Sequence, residues 1–308
     1  MASLSPSPAE VKTSRRSRFL ARRAQPLPRR AQTIVTIVTV AVLVVASIWA
    51  WHSAHLSFET IKWVPIIVAF LVGAPATLIL KMFEYDAAAR LIGSRAGPRR
   101  ALEVAIISSA ANLLPLPGSL VVTTRSLSEQ GATYGSAALA STIPGLAWLG
   151  LSGVIGGVSI VIAGNLFIGL AVAAAGCVCV GVTAAMFLRS APEHGRPQLA
   201  LRIFLVEGTW VVLGGFRMWL VLEAIGVSAT PAQVLALAVT GAMSVAIGFL
   251  PSGIGAREAL IALLSPIIKL PLSQGVVIGV IDRIVWVTFL SLAAIGLAIA
   301  RHGRVRDV

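Results

Sequence analysis

Apolar residues dominate the chain in runs at about 33–51, 63–81, 104–122, 133–156, 160–188, 203–223, 232–250, 258–268 and 273–300. A run of roughly 20 apolar residues is the length at which a helix crosses the hydrocarbon core with its backbone hydrogen bonds satisfied internally. The pattern predicts an all-α polytopic membrane protein. Polar punctuation decides which runs cross.

Lysine and arginine give the orientation, because they collect on the cytoplasmic side. The first 30 residues hold Lys12, Arg15, Arg16, Arg18, Arg22, Arg23, Arg29 and Arg30 against one acid, Glu10. Run 33–51 then leads out, run 63–81 returns, and Lys81, Arg90, Arg95, Arg99 and Arg100 lie inside. A full crossing by 104–122 would strand Arg189, Arg196 and Arg202 outside. That run is also interrupted by Asn112, Pro115, Pro117 and Gly118, which free backbone groups that lipid cannot satisfy. Both conflicts disappear if 104–122 is re-entrant from the cytoplasm. Runs 133–156 and 160–188 then form a hairpin, and 203–223 exits to the loop Ala224–Thr230, which has no Lys or Arg. The last run ends inside, at Arg301, Arg304 and Arg306. Between them, 232–250 and 258–268 meet at Pro251-Ser252-Gly253-Ile254-Gly255. This break is open to two readings of equal parity, a second re-entrant pair or two crossings. The expected architecture is six to eight transmembrane helices with one or two re-entrant broken-helix motifs.

Segments 63–156 and 203–300 share one plan in opposite orientations: span, broken element, span. Gln130-Gly131-x-x-x-Gly135 and Gln274-Gly275-x-x-x-Gly279 precede the two closing spans. An inverted repeat with broken helices near the midplane is a transporter arrangement. The two Gly-x-x-x-Gly pairs are open to packing within a chain or between chains.

Composition agrees with the pattern. Of 308 residues 57% are apolar and 12% charged, about half the charge of a soluble domain, and the mean hydropathy is +0.90. The net charge of +13 is not a nucleic-acid signature, since more than half of it lies in residues 1–32. That tail has too few apolar residues to form a core and reads as an uncleaved cytoplasmic anchor for anionic headgroups. Residues 301–308 form a second short cytoplasmic tail. Cys177 and Cys179 lie about 200° apart on one helix and are packing residues. His52 and His55 make at most half a metal site. No metal and no cofactor is expected.

Ionisable groups inside spans are functional candidates by default: Arg125, Glu207, Arg217, Glu223, Arg257, Glu258, Asp282 and Arg283. Asp282 and Arg283 lie about 15 Å into the last run at 1.5 Å per residue, near the midplane. Arg257 and Glu258 follow the glycine-rich break at a helix start, where free N–H groups and a guanidinium suit phosphate. Mutual neutralisation of these four is the competing reading. Glu207, Arg217 and Glu223 read as bundle pairing or interfacial charges, and Arg125 as a site residue or a snorkelling anchor.

Phe249-Leu250-Pro251-Ser252-Gly253-Ile254-Gly255-Ala256-Arg257-Glu258-Ala259 resembles the signature of the lysylphosphatidylglycerol synthase transmembrane family. This flippase-like domain forms the N-terminal part of the multiple peptide resistance factors. Asn112, Pro117, Gly118 and Arg125 resemble the family's earlier Asn-x-x-x-Pro-Gly element, with one residue more between Asn112 and Pro117, and Arg283 with Trp286 its closing-helix arginine. The likeness covers about 35–300. The chain departs from it at Ser252, at Val121 where the family has a second glycine, and at Leu139 where a charge is common. The resistance factors continue into a soluble aminoacyl-transfer domain, and only eight residues follow residue 300. The resemblance therefore implies the lipid-translocating part without the synthase.

The expected function is movement of an anionic or modified phospholipid between leaflets of a bacterial plasma membrane, both termini being cytoplasmic. Arg257 and Arg283, with Arg125, would hold the headgroup phosphate. Glu258 and Asp282 would balance those charges or meet a cationic substituent. Pro251, Gly253 and Gly255, with Pro117 and Gly118, would keep the backbone open. No Ser/His/Asp, Cys/His or paired-carboxylate set indicates catalysis, and no phosphate-binding loop indicates ATP drive. The alternative is a non-catalytic membrane partner of a separately encoded lipid-modifying transferase. An intramembrane lipid-modifying enzyme and a channel follow in that order.

Overall fold

The computed structural model describes residues 59–112, 118–191, 196–247 and 256–306, with Ile48 and His52 singly. The basic tail, nearly all of run 33–51, and Pro117, Pro251, Gly253 and Gly255 lie outside the described residues. Nine helices are described: α1 Trp63–Leu91, α2 Pro98–Ala111, α3 Gly118–Ser128, α4 Tyr134–Ile162, α5 Leu166–Ser190, α6 Arg196–Ala224, α7 Pro231–Ile247, α8 Ala256–Ile267 and α9 Leu272–Arg306. Five of them, α1, α4, α5, α6 and α9, are long and apolar enough to cross a membrane. The protein is an all-α, multi-pass membrane protein.

The short helices sit where the sequence is broken. Run 104–122 resolves into α2, of 14 residues, and α3, of 11, or about 21 and 16 Å. Neither reaches across a core of about 30 Å. They pack on each other, and Gly118 is needed because a Cβ there would collide with the Ala111 carbonyl. The Asn112 side chain spans the break and accepts a hydrogen bond from the Ser119 N–H at 3.0 Å, capping the first turn of α3. In the second half α7 and α8, of 17 and 12 residues, also pack on each other. Their described parts are about 26 and 18 Å long, and the residues that join them lie outside the described ones.

Helix α1 runs ten residues beyond the end of its apolar stretch at Lys81. Its later polar residues are matched inside the bundle: Lys81 with Glu84, and Asp86 with Arg90 and, from α6, Arg202. Near its middle, Ala69–Gly73 forms a π-helical turn. Pro75 lacks an N–H for the carbonyl four residues back, and a π turn absorbs such a gap.

The inverted repeat is visible in which helices touch. Exchanging α1–α2–α3–α4 with α6–α7–α8–α9 maps the helix contacts onto one another: α1 on α2 with α6 on α7, α4 on α7 with α9 on α2, and α4 on α6 with α9 on α1. The halves are antiparallel. Lys62, at the start of α1, pairs with Glu223 near the end of α6 at 2.6 Å, while Asp86 and Arg202 pair their opposite ends. Two buried apolar clusters form, one around Met218, Leu222, Leu237, Ile261 and Ile278, the other around Tyr85, Leu127 and Ile143 with Ile203 from the start of α6.

Helix α5 stands outside the repeat and packs chiefly on α4 through glycine. A Cβ on Gly153 would lie 2.7 Å from the Gly176 Cα, and one on Gly157 would lie 2.6 Å from the Gly169 carbonyl oxygen. Small residues that admit backbone contact hold helices together in lipid. The hairpin expected from 133–188 is thus built by close approach, and Cys177 and Cys179 are free thiols on its outer helix.

Candidate functional site

The second half assembles a buried charge cluster around Asp282. Arg217 of α6 donates from Nη2 to Oδ1 at 2.6 Å, and Arg257 of α8 places Nη1 2.7 Å from Oδ2. The second contact is a close ion pair, so each carboxylate oxygen of Asp282 faces its own guanidinium. Beside them Arg283 faces Glu258 at 3.9 Å. The cluster holds three guanidiniums and two carboxylates.

Each side chain is placed by a local feature of the chain. Asp282 lies about 15 Å into α9 and Arg217 about 10 Å before the end of α6, so the two meet at depth. Arg217 fits because α1 is thin there: a Cβ on Gly73 would stand 2.8 Å from its Cγ. The π turn brings Thr77 beside it. Thr77 donates to the Gly73 carbonyl at 2.8 Å and accepts from Arg217 Nη1 at 3.4 Å. Trp286, one turn beyond Asp282, lies under the Arg217 guanidinium at 5.4 Å, a cation–π contact strengthened by desolvation. Arg257 and Glu258 open α8, and Gly279 lets α9 come close to them, since a Cβ there would be 3.2 Å from the Glu258 Cα.

Exposure separates the arginines. The Asp282 and Arg217 side chains are 1% and 8% exposed, whereas Arg257 and Arg283 are 19% and 18% exposed. Two N–H donors, Nε of Arg217 and Nε of Arg257, are buried without an acceptor among the described residues. A buried donor without an acceptor is costly, so the cluster is poised to receive an acceptor of negative charge through its Arg257–Arg283 side.

Four of the five predicted site residues, Arg257, Glu258, Asp282 and Arg283, therefore meet in one place. Arg125 does not join them. It sits on α3 with its side chain 80% exposed, 3.3 Å from Glu129, and its length carries the charge outward as a snorkelling residue does. Of the five backbone-break residues, Gly118 serves the α2–α3 junction and the other four lie outside the described residues. Arg217 was not legible as a member of this cluster, because its partner stands 65 positions away. Glu223 is interfacial, paired with Lys62. No group of three His, Cys, Asp or Glu among the described residues could hold a metal.

The first half has a latch in place of this cluster. Arg100 of α2 donates to Glu129, just past α3, at 2.7 Å, and Arg125 donates to the same carboxylate. Hydrogen bonds from Arg100 and then Arg125 hold the Glu129 carboxyl below its ordinary range. A carboxyl held low contributes its stabilisation above its unfolded value, about 4.3 for Glu, and loses it as the pH falls through the lower folded value. Spin labels on α2 and α3 should therefore give a distance distribution that broadens in acid. Arg100→Gln should be broad already at pH 7, and an acid-insensitive wild type would dismiss the latch.

No protein-family model and no curated protein sequence matches the chain.

Proposed function

We infer that this protein moves an anionic or modified phospholipid between the two leaflets of a bacterial plasma membrane. The observation that carries the reading is the surplus of one guanidinium, with two N–H donors that have no acceptor among the described residues, at mid-depth in the second half where Arg217 meets α1 of the first. A buried net charge in a membrane bundle is expensive unless a pathway for its counter-ion uses it. Broken helices at the interface of inverted repeats are where transporters put their substrate.

Arg257 and Arg283, the more exposed pair, meet the headgroup phosphate. Asp282 and Glu258 balance the charge between substrates, and Glu258 is placed to meet a cationic headgroup substituent. The resemblance of 249–259 to the lysylphosphatidylglycerol synthase transmembrane signature supports a lipid over a soluble anion. Arg90, Arg95, Arg99, Arg100, Arg125, Arg189, Arg196, Arg202 and Arg301 lie towards the end of the bundle where α1 finishes and α6 begins. The positive-inside rule assigns that end to the cytoplasm.

Proteoliposomes carrying headgroup-labelled phosphatidylglycerol or a zwitterionic control, quenched from outside, test the reading. Wild type is expected to expose the inner-leaflet pool of the anionic lipid quickly. Arg257→Ala should slow it roughly ten- to a hundredfold, because a hydrogen bond to a charged group contributes about 1.5–3 kcal/mol and 1.4 kcal/mol is tenfold. Movement that ignores Arg257 would keep transport and discard the site. No movement of either lipid would favour the partner of a separate transferase.

A further inference from the structure

A second charged cluster lies further along α6, against α1. Glu207, eleven residues into α6, is 1% exposed, and its Oε1 has no hydrogen-bond partner. Lys81 and Glu84 of α1 are its charged neighbours, since Lys81 lies over the ring of Trp210, three residues further along α6. Lys81 is already committed: its Nζ donates to both oxygens of Glu84 at 2.6 and 2.8 Å and lies 5.5 Å over the Trp210 ring. Helices α4 and α7, which also pack on α6, carry no Asp, Glu, Lys or Arg, and the charged residues in the buried part of α9 are Asp282 and Arg283. Two carboxylates thus share one ammonium, with one negative charge in excess when all three are ionised.

That excess mirrors the guanidinium cluster, which carries one positive charge in excess. The two are joined through α6, and through α1 where Thr77 meets Arg217. Glu207 and Arg217 are ten residues, about 15 Å, apart on α6, and Lys81 and Thr77 are one turn apart on α1. An anion bound at the guanidiniums and a proton bound at Glu207 leave each cluster neutral. A proton is the cation that a single unpartnered carboxylate oxygen can take without further ligands.

We propose that Glu207 is a proton-binding site whose occupancy is coupled to the anion held by Arg257 and Arg283. The coupling rests on the lipid-transport reading; the proton site does not. The step is a transfer from hydronium to the Glu207 carboxylate, forming one O–H bond, and release returns that proton to water. A proton and a singly charged lipid anion then cross together as a neutral pair.

Infrared spectroscopy of the protein in liposomes, free of labelled lipid, tests the site directly. At pH 7 wild type is expected to show a carboxylic-acid carbonyl band that Glu207→Gln removes. Glu84→Gln should also remove it, because Lys81 is then freed to pair with an ionised Glu207. A band unaffected by Glu207→Gln, or none, would overturn the proposal. Coupling is read in the same vesicles with headgroup-labelled phosphatidylglycerol. One proton per lipid lets a one-unit pH gradient shift the leaflet distribution by up to about tenfold, and Glu207→Gln should abolish that dependence. A wild-type distribution indifferent to the gradient while lipid still moves would overturn the coupling. A band lost in both variants with no lipid movement would uphold the proton site and remove the transport reading.

Discussion

Asp282→Ala is expected to lower the stability of the protein by about 3–5 kcal/mol, the cost of removing one partner from a buried ion pair. The reason is the charge count. Wild type sets three guanidiniums against two carboxylates; the variant leaves three against one, with Arg217 almost wholly buried. Arg217→Met should cost less, because Arg257 still neutralises Asp282 and the remaining charges balance. The double variant Arg217→Met/Asp282→Ala restores the wild-type surplus of one positive charge and should be more stable than Asp282→Ala alone. Unfolding of the protein in mixed detergent, followed by tryptophan fluorescence, measures all four. An Asp282→Ala protein within about 1 kcal/mol of wild type would mean that water reaches the guanidiniums and that the cluster is not buried as described.

The same cluster shows what a sequence can and cannot convey about a membrane site. The depth of Asp282 and Arg283 follows from counting residues at 1.5 Å each along an apolar run, and the exposed ends of α1 and α6 follow from where lysine and arginine collect. The break at 112–118 is legible because proline, glycine and asparagine together cannot continue a lipid-facing helix. Partner choice is another matter. Arg217 and Glu207 occupy similar apolar surroundings in one helix, yet Arg217 is met by Asp282 from α9 and by Thr77 just past the π turn of α1, while Oε1 of Glu207 meets no hydrogen-bonding group among the described residues. Those outcomes depend on which helices become neighbours, a long-range property that no local pattern records. The underestimate of α1 has the same origin: residues 82–91 look like a loop by hydropathy, but their charges find partners within α1 and on α6.

Gly135→Val and Gly279→Val should differ sharply although both glycines end the same Gln-Gly-x-x-x-Gly motif. Gly135 lies in the first turn of α4, and a Cβ there would meet nothing within 4 Å. Its replacement should stay within about 0.5 kcal/mol of wild type, as an unburdened surface change does. Gly279 faces α8, where a Cβ would sit 3.2 Å from both Cα and Cγ of Glu258 and 3.3 Å from Ile261 Cδ1. Valine there must push α8 away from α9, and overpacking of this kind costs about 1–3 kcal/mol. Helix propensity runs slightly the other way, since glycine is the poorer helix former, so any loss at Gly279 reports packing. The pair Gly275–Gly279 is thereby assigned to an interface within the chain, where Gly275 lies against Ser265 and Ala262. Moving α8 also carries Arg257 away from Asp282 and Glu258 away from Arg283. The Gly279→Val protein should therefore lose movement of labelled phosphatidylglycerol in proteoliposomes to the extent that Arg257→Ala does, while Gly135→Val retains it. Equal behaviour of the two variants would show that α8 and α9 do not depend on this contact to hold the four charges together.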